Sequence, residues 1–311
     1  MQILAGKHNF DFMGRRKLAM LFSLILVLAS LGSLLAQGLQ LGIDFTGGTL
    51  IEVGYPEPVV LEEVRETLRA AGFGDAVVQH FGSARDVLIR IAPRETASSA
   101  ELSSQVLQAL QVKDPGVEMR RVEFVGPQVG EELTEQGGLA MLYALIGILV
   151  YVALRFEYRF AVGSVVALLH DVIITLGAFS LFRLEFDLTV LAAILAVIGY
   201  SLNDTIVVFD RIRENFRRMR KGTPMEIMNT SINQTLSRTL MTSFTTLLVL
   251  IALVVFGGKV IHAFALALII GVVVGTYSSI YVASSAVLSM GISKQDLMPV
   301  KKEGAEVDDR P

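Results

Sequence analysis

The chain has 311 residues, of which 52% are hydrophobic and only 18% are charged, and its mean hydropathy is +0.57. Soluble domains carry roughly a quarter of charged residues, so this composition argues against a soluble globular protein. Lys and Arg number 27 against 30 for Asp and Glu, which argues against nucleic acid as a partner, and the absence of cysteine excludes disulfides, thiol catalysis and thiolate metal sites.

Six apolar runs are long enough, or within a residue of long enough, to cross the hydrocarbon core of a bilayer, which takes about 17–25 residues. They are Leu18–Ala36, Leu139–Leu154, Phe160–Phe182, Leu188–Phe209, Thr239–Phe256 and Val260–Leu288. We interpret the first run as a retained helix, because it is longer than the apolar core of a signal peptide and lacks a convincing cleavage site. None of the runs contains proline, which argues against the broken helices of many secondary transporters.

The distribution of Lys and Arg between the loops predicts the orientation in the membrane. With the N-terminus in the cytoplasm, the inside segments hold 17 basic residues and the short outside loops hold two. Both termini are therefore expected in the cytoplasm. Residues 1–36 form the N-terminus and helix one, residues 138–290 form helices two to six, and the tail 291–311 is expected to be disordered.

The segment 37–137 lies outside in this topology and is long enough to form a domain. Strands are predicted over Thr49–Tyr55, Ala76–Phe81, Asp86–Ala92 and Val117–Val125, and helices over Pro58–Ala71 and Ser98–Gln111. A turn is predicted over Gly82–Arg85. The order β-α-β-β-α-β is that of a ferredoxin-like sandwich. The predicted fold is a multi-pass membrane protein with six transmembrane helices and one ferredoxin-like α+β domain between helices one and two.

The cytoplasmic side before the fifth run carries a helix-start signal. Thr223-Pro224-Met225-Glu226 is a capping box with proline at the first helical position. Apolar residues follow at intervals of four, which predicts an elbow helix over 223–237 lying in the membrane interface. A helix that docks a partner is the alternative.

Two carboxylates fall inside the predicted spans. Asp171 lies beside His170 near the middle of the third run, and Asp204 lies close to the inner end of the fourth. A carboxylate in the hydrocarbon region costs at least about 2.5–3.5 kcal/mol, so it usually faces the bundle interior. Burial favours the uncharged acid, which suits a proton-coupled machine. The alternative for each is a hydrogen-bond anchor between helices.

Other polar residues lie at similar depth. Arg238 opens the fifth run and is long enough to reach toward Asp204, where an Asp–Arg pair that breaks on protonation would form a two-state element. The alternative is a positive-inside anchor. Ser201, Asn203 and Thr205 are candidate supporting residues or simple polar contacts between helices.

The sequence contains small-residue stripes but no enzyme signature. Gly271 and Gly275 form a GxxxG pattern that permits close helix contact, within the chain or between subunits. A phosphate-binding loop, HExxH and GxSxG are all absent. We therefore expect no enzymatic activity, no cofactor and no metal site.

Several segments together resemble the SecD/SecF family of protein-export membrane subunits. Leu41–Thr49 (LGIDFTGGT) resembles the family's glycine-rich signature, and Val125–Leu133 (VGPQVGEEL) resembles its second motif. The signature residues are Asp44, Phe45, Thr46, Gly47 and Gly48. The stretches 169–172, 187–190 and 199–215 resemble the SecF branch of the family.

This resemblance covers residues 10–290 and implies a member of the resistance–nodulation–division superfamily. It implies a bundle in the bacterial cytoplasmic membrane with a periplasmic domain, partnership with SecD and the SecYEG channel and, in many bacteria, YajC. It further implies that the proton-motive force helps pull unfolded preproteins across the bilayer. The family's functional aspartate falls on Asp204 and its functional arginine on Arg238, whereas Asp44 is expected to form a turn.

Two other functions remain as alternatives. A proton-coupled exporter of small molecules or lipids from the same superfamily would need a sizeable pocket in the outer domain. A scaffold would tolerate joint replacement of Asp204 and Arg238 by apolar residues. The sequence leaves open whether H⁺ or Na⁺ is the coupling ion, and whether the chain is natively separate from SecD.

Overall fold

The structure, a computed structural model, describes residues 10–93, 99–219, 221–258 and 260–293. The elements, numbered in chain order, are α1 (Arg16–Gln37), β1 (Gln40–Leu41), α2 (Ile43–Thr46), β2 (Gly48–Gly54), α3 (Leu61–Ala70), β3 (Val77–Phe81), β4 (Ser83–Ile91), α4 (Ser99–Lys113), β5 (Glu118–Val125), α5 (Pro127–Arg155), α6 (Tyr158–Leu181), β6 (Glu185–Phe186), α7 (Leu188–Arg218), α8 (Pro224–Phe256), α9 (His262–Ser278), a π turn (Ser279–Ala283) and α10 (Ser284–Ser289). Most of the predicted tail, from residue 294 onward, lies outside the described residues.

Among the described residues, six helices are long and apolar enough to cross a membrane: α1, α5, α6, α7, α8 and the combined stretch His262–Ser289, which we call the sixth spanning helix. This confirms the predicted multi-pass membrane architecture. Helices α6 and α7 are more than half buried, whereas α1, α5 and α8 leave most of their apolar surface exposed. The interior of the bundle therefore lies around α6, α7 and the sixth spanning helix.

The predicted elbow helix over 223–237 is not a separate element. The capping box forms as expected, because Glu226 N donates to Thr223 Oγ1 at 3.3 Å and Thr223 N donates to Glu226 Oε2 at 2.8 Å. From Pro224 the helix then continues without a break to Phe256. Neither glycine nor a second proline occurs between Met225 and Phe256, so nothing in the sequence ends the helix at the membrane surface.

Other boundaries also differ from the predicted ones; for example, α3 begins at Leu61 rather than Pro58, and α7 continues to Arg218 rather than ending at Phe209. Helix α5 starts at Pro127 rather than at residue 138, because proline is favoured at the first helical position and no second proline follows before Arg155. Strand β4 starts at Ser83, so the predicted turn over Gly82–Arg85 contracts to Gly82, which has a φ of +76°. The register shift between His80 and Phe81 accommodates this tight connection.

The segment between α1 and α5 contains a four-stranded sheet. The strand order is β3-β4-β2-β5, and each neighbouring pair is antiparallel. Helices α3 and α4 pack on this sheet through an apolar core of their own, separate from that of the spanning helices. The core includes Ile51, Val53, Val64, Leu68, Ile89 and Val106.

A second, two-stranded ribbon joins the C-terminal end of α1 to the N-terminal end of α7. β1, which follows α1, pairs in parallel with β6, which precedes α7, with Gln40 opposite Glu185 and Leu41 opposite Phe186. The amide of Gly42 extends the ribbon by donating to Phe186 O at 2.8 Å. Residues almost 150 positions apart in sequence are thereby fixed side by side.

The GxxxG residues of the sixth spanning helix lie inside the bundle and contact α7. A Cβ atom on Gly271 would overlap the Val197 side chain, and a Cβ on Gly275 would lie 3.1 Å from the Ser201 Cβ. Glycine at these two positions therefore lets the two helix backbones approach closely. The structure favours the first of the two predicted roles, packing within the chain.

We predict that Gly271→Ala lowers the free energy of unfolding by about 1–3 kcal/mol, because the added methyl group overpacks the contact with Val197. Gly199→Ala is the matched control: a Cβ there has no heavy atom within 4 Å, and alanine is the better helix former. Chemical unfolding of the detergent-solubilised protein measures both. Adding Val197→Ala to Gly271→Ala should give a non-additive recovery. Equal stability of the two glycine variants would contradict the overlap.

Candidate functional site

Asp204 lies in the interior of the bundle with both carboxylate oxygens engaged. Its side chain is 8% exposed. Thr239 Oγ1 of α8 donates to Oδ1 at 2.6 Å, and Ser279 Oγ of the π turn donates to Oδ2 at 2.5 Å. Since Asp204 belongs to α7, this single carboxylate connects three spanning helices.

Asp171 forms a second, neighbouring cluster from α6 and is 1% exposed. Its Oδ2 accepts hydrogen bonds from Ser201 Oγ of α7 at 2.5 Å and from Ser278 Oγ of α9 at 2.7 Å. Its Oδ1 lies 2.8 Å from His170 Nδ1. His170 stacks against the ring of Tyr277, with centroids 6.2 Å apart. The structure thus brings together three sequence-predicted residues: His170, Asp171 and Ser201.

The sixth spanning helix connects the two clusters. Ser278 donates to Asp171 and the next residue, Ser279, donates to Asp204. The helix changes to π geometry from Ser279 to Ala283, a distortion that is frequent at functional sites. The sequence analysis did not single out these two serines. A pair of consecutive serines at the depth of the aspartates was the available signal, but a second such pair, Ser284 and Ser285, follows in the same span.

Arg238 does not form the direct pair with Asp204 that we hypothesised. In the part of the chain that the structure describes, no ion pair within 4.0 Å joins them, and the Arg238 side chain is exposed. Consecutive helical residues point about 100° apart, so only one of Arg238 and Thr239 faces the interior. Thr239, 1% exposed, takes that position.

The other candidate polar residues of α7 divide by helix face. Thr205 is buried, whereas Asn203 is exposed and belongs to neither cluster. Tyr200, which the sequence did not single out, donates to Ser243 Oγ of α8 at 3.2 Å, and Ser243 lies 2.6 Å from Thr276 Oγ1 of α9. This third polar contact joins α7, α8 and α9, the three helices that also meet around Asp204.

The glycine-rich signature lies at the N-terminal end of α7 and does more than form a turn. Asp44 Oδ2 accepts a hydrogen bond from Leu188 N, the first residue of α7, at 2.9 Å. Phe45 stacks on Phe186 with ring centroids 5.8 Å apart, and Thr46 Oγ1 donates to Gly42 O at 3.1 Å. The signature therefore supports the start of the helix that carries Asp204.

The two glycines of the signature allow close approach of the backbone. Gly47 and Gly48 have φ values of +66° and +120°, which disfavour any residue with a Cβ. A Cβ on Gly48 would also lie 2.5 Å from the carbonyl oxygen of Ile91, and one on Gly47 would lie 3.0 Å from the Pro127 Cα. Any side chain at Gly48 would push β2 away from β4.

Comparison with known families decides the assignment. The family model "SecD/SecF GG Motif" matches residues 32–58, and "Protein export membrane protein SecD/SecF, C-terminal" matches residues 105–293. The chain belongs to the SecD/SecF family. This confirms the resemblance found in the sequence, and it places both the glycine-rich signature and the aspartate clusters inside regions that the family models cover.

Named relatives of this SecD/SecF member match it over almost its whole length. The chain is 59% identical to protein translocase subunit SecF of Vibrio alginolyticus, with 100% of this chain and 99% of that protein covered. It is 52% identical to SecF of Pseudomonas aeruginosa, with 97% and 98% covered. The chain is therefore similar to the SecF branch of the family throughout.

Two solved structures show the same backbone arrangement. The crystal structure of SecDF, a translocon-associated membrane protein from Thermus thermophilus, superposes with a TM-score of 0.84 at 41% identity, covering 93% of this chain and 39% of that one. SecDF in its super-membrane-facing form gives a TM-score of 0.68 at 42% identity, covering 91% and 39%. The chain thus spans well under half the length of the SecDF chains.

We predict that Asp171→Ala destabilises the folded protein by about 1–3 kcal/mol, because the buried donors around it lose their acceptor. The matched control is Asp210→Ala on α7. That residue pairs with Arg155 at 3.0 Å near the surface, with 44% of its side chain exposed, and exposed pairs contribute about 0–1 kcal/mol. Unfolding in detergent measures both variants. Equal losses would contradict a structural role for the Asp171 cluster.

Proposed function

We propose that this chain is a SecF subunit of the Sec protein translocase and that, together with SecD, it uses the proton-motive force to promote late stages of preprotein translocation. Full-length relatives named protein translocase subunit SecF support the translocase role. One observation carries the coupling role: Asp204 is buried between spanning helices and bonded at 2.5–2.6 Å by hydroxyls from two of them.

The hydrogen bonds of Asp204 suggest how a proton would act. An ionised carboxylate only accepts hydrogen bonds, whereas a protonated one donates with one oxygen. Protonation therefore requires Ser279 or Thr239 to turn its hydroxyl away or to move. Ser279 has a ready alternative acceptor, Thr276 O, at 3.0 Å. Proton binding at Asp204 would thus loosen α7 from the π turn or from α8.

The energy released by one proton crossing the membrane is similar to the energy of one hydrogen bond to the Asp204 carboxylate. One elementary charge crossing the membrane releases about 2.3 kcal/mol per 100 mV. A hydrogen bond to a charged group contributes about 1.5–3 kcal/mol. A single proton is therefore enough to exchange one hydrogen bond of Asp204, whereas pulling a polypeptide requires repeated cycles.

The remaining site residues have supporting roles in this proposal. The Arg238 charge attracts the ionised form of Asp204 and loses that attraction when the acid is protonated. Asp171, with His170 and Ser201, forms a second polar cluster that responds to movement of the sixth spanning helix through Ser278. Thr205 is a buried packing neighbour of Asp204, and Asn203 lies on the exposed face.

The proposed setting is the bacterial cytoplasmic membrane, with both termini in the cytoplasm and residues 37–137 in the periplasm. The 17-to-2 distribution of Lys and Arg between the inside and outside loops supports this orientation. The strand order β3-β4-β2-β5 with one helix in each crossover supports a ferredoxin-like outer domain. Helices two to six and the cytoplasmic tail 291–311 complete the proposed domain organisation.

The proposed partners are SecD, the SecYEG channel, unfolded preprotein and, in many bacteria, YajC. The chain covers 39% of the SecDF chain, so a SecD part is available to complete the bundle in that relative. The exposed apolar faces of α1, α5 and α8 suit contacts with SecD and with lipid.

A cavity on the outer domain, lined by Tyr55, Thr67 and Lys113 among others, has a volume of about 230 Å³. This cavity is smaller than the roughly 300–1,000 Å³ of a ligand pocket, so it does not by itself meet what the exporter alternative requires.

We predict that Asp204→Asn abolishes the stimulation of preprotein translocation by a proton gradient, because asparagine keeps the shape of the side chain but binds no proton in this range. Translocation into vesicles is measured with and without the gradient, and co-purification with SecD checks assembly. Asp210→Asn, on the same helix, is the matched control and should keep full stimulation. Ser279→Ala should weaken stimulation without abolishing it.

The outcome that contradicts the proposal is undiminished gradient-dependent translocation by an assembled Asp204→Asn complex. Repeating the assay with a sodium gradient in place of the proton gradient distinguishes the coupling ion. Stimulation by sodium alone would overturn the assignment of H⁺.

A further inference from the structure

A largely buried ion pair connects the outer domain to the spanning helices. Arg90, on β4 of the outer sheet, bonds Glu185 in β6 through Nη2, and the two side chains are 13% and 21% exposed. Arg90 Nη1 donates to Leu41 O of β1 at 2.7 Å. One guanidinium therefore holds both strands of the β1–β6 ribbon against the sheet.

Glutamines add a second set of contacts at the same place. Gln79 of β3 donates to Glu185 Oε2 at 3.5 Å and accepts from Gln40 Nε2 of β1 at 3.2 Å. Two neighbouring strands of the outer sheet, β3 and β4, thus contact both strands of the ribbon. We call this set of contacts, centred on Arg90 and Glu185 and completed by Gln40, Leu41 and Gln79, the ribbon clasp.

The ribbon in turn is fixed to the start of α7. Strand β6 ends at Phe186, and only Asp187 separates it from the first residue of α7. Asp44, just after β1, accepts a hydrogen bond from Leu188 N at 2.9 Å. Asp187 caps the same helix end by accepting from Val190 N at 2.8 Å. Asp204 lies about 24 Å further along α7, at 1.5 Å per residue. The helix contains no proline and therefore behaves as a continuous rod between the ribbon clasp and the buried carboxylate.

The charges around Arg90 explain why arginine is suited to this position. Glu185 lies near the carboxylates of Asp187 and Asp44, and burial raises the pKa of Glu185 while the Arg90 guanidinium opposes that rise. A planar guanidinium with several donors bonds a carboxylate and a carbonyl at once, which an ammonium group does less well. Removal of Arg90 would leave the Glu185 carboxylate buried without its cation.

We propose that Arg90 is a positioning residue that couples the outer domain to α7, so that a shift of α7 arising at Asp204 is transmitted to the outer sheet. This coupling rests on the proposed function for its driving step, whereas the ribbon clasp itself does not. Arg90 touches neither preprotein nor proton-carrying groups in this proposal. Its effect is mechanical, through Glu185, Leu41 and the ribbon.

The test measures the position of the outer domain directly. Because the chain has no cysteine, spin labels can be attached at Val112→Cys on α4 and Phe182→Cys before β6, which are 88% and 68% exposed. The distance distribution is recorded in the complex with SecD reconstituted into lipid. We expect Arg90→Gln and Glu185→Gln each to broaden this distribution and to reduce gradient-dependent translocation several-fold, with assembly unchanged.

Two further variants sharpen the result. Arg85→Gln lies on the same strand and removes only an exposed pair with Glu57 at 3.8 Å, so it should change neither measurement. The exchange Arg90→Glu with Glu185→Arg should recover part of both, since it restores the pair with its charges reversed. If the Arg90 variant fails to assemble, the Glu185→Gln variant, which is nearly isosteric, answers the same question.

The outcomes separate this inference from the proposed function. An unchanged distance distribution in Arg90→Gln and Glu185→Gln overturns the ribbon clasp, whatever Asp204→Asn does. A broadened distribution with full gradient-dependent translocation overturns the coupling role of Arg90. Loss of stimulation in Asp204→Asn together with a normal distance distribution leaves the ribbon clasp intact and locates that defect at the carboxylate.

Discussion

Burial of two carboxylates in an apolar bundle is the constraint on which this architecture depends. Each carboxylate must find donors among neighbouring helices, because an unpaired charge in the interior costs several kcal/mol. Asp204 obtains hydroxyls from α8 and the π turn, and Asp171 obtains them from α7 and α9. A hydroxyl reaches only a short distance from its backbone, so the helices must approach closely. Gly271 and Gly275 provide that approach along the contact between α7 and the sixth spanning helix.

The π turn follows from the same constraint. Ser278 and Ser279 are consecutive, yet they bond carboxylates on two different helices. Each change of helical geometry alters the angle between successive side chains, and the π turn begins at the second serine. The distortion also leaves the Ser279 carbonyl available to Ser284 Oγ, at 3.3 Å. A displacement of this turn therefore changes the surroundings of both carboxylates together.

The spanning helices and the strands of the four-stranded sheet could be predicted from the sequence, because both depend on the composition and periodicity of short segments. The hydrogen-bond partners of individual side chains could not be predicted in this way. Whether Arg238 or Thr239 faces Asp204 depends on how α8 is rotated about its axis. Because α8 is continuous from Pro224, its first turns fix that rotation. The predicted elbow helix 223–237 was a separate element and left the rotation undetermined. The partner of Asp44 is Leu188, 144 residues away. No periodicity encodes that contact, because it arises only when the β1–β6 ribbon forms.

The contacts of α7 differ along its length in a way that bears on movement. At Leu188 and at Asp204, directional hydrogen bonds join α7 to distant parts of the chain, and Tyr200 and Ser201 add two more just before Asp204. Between them the buried residues are mainly aliphatic, such as Val190, Ile194 and Ile198. Apolar packing is not directional and tolerates small sliding movements better than a hydrogen bond does. We expect a helix held in this way to move as one piece, because its hydrogen bonds fix where it rests and its apolar contacts permit sliding. The glycine-rich signature contacts the start of α7, and the buried aspartate lies about 24 Å further along the same helix. A displacement of this one continuous element therefore reaches both.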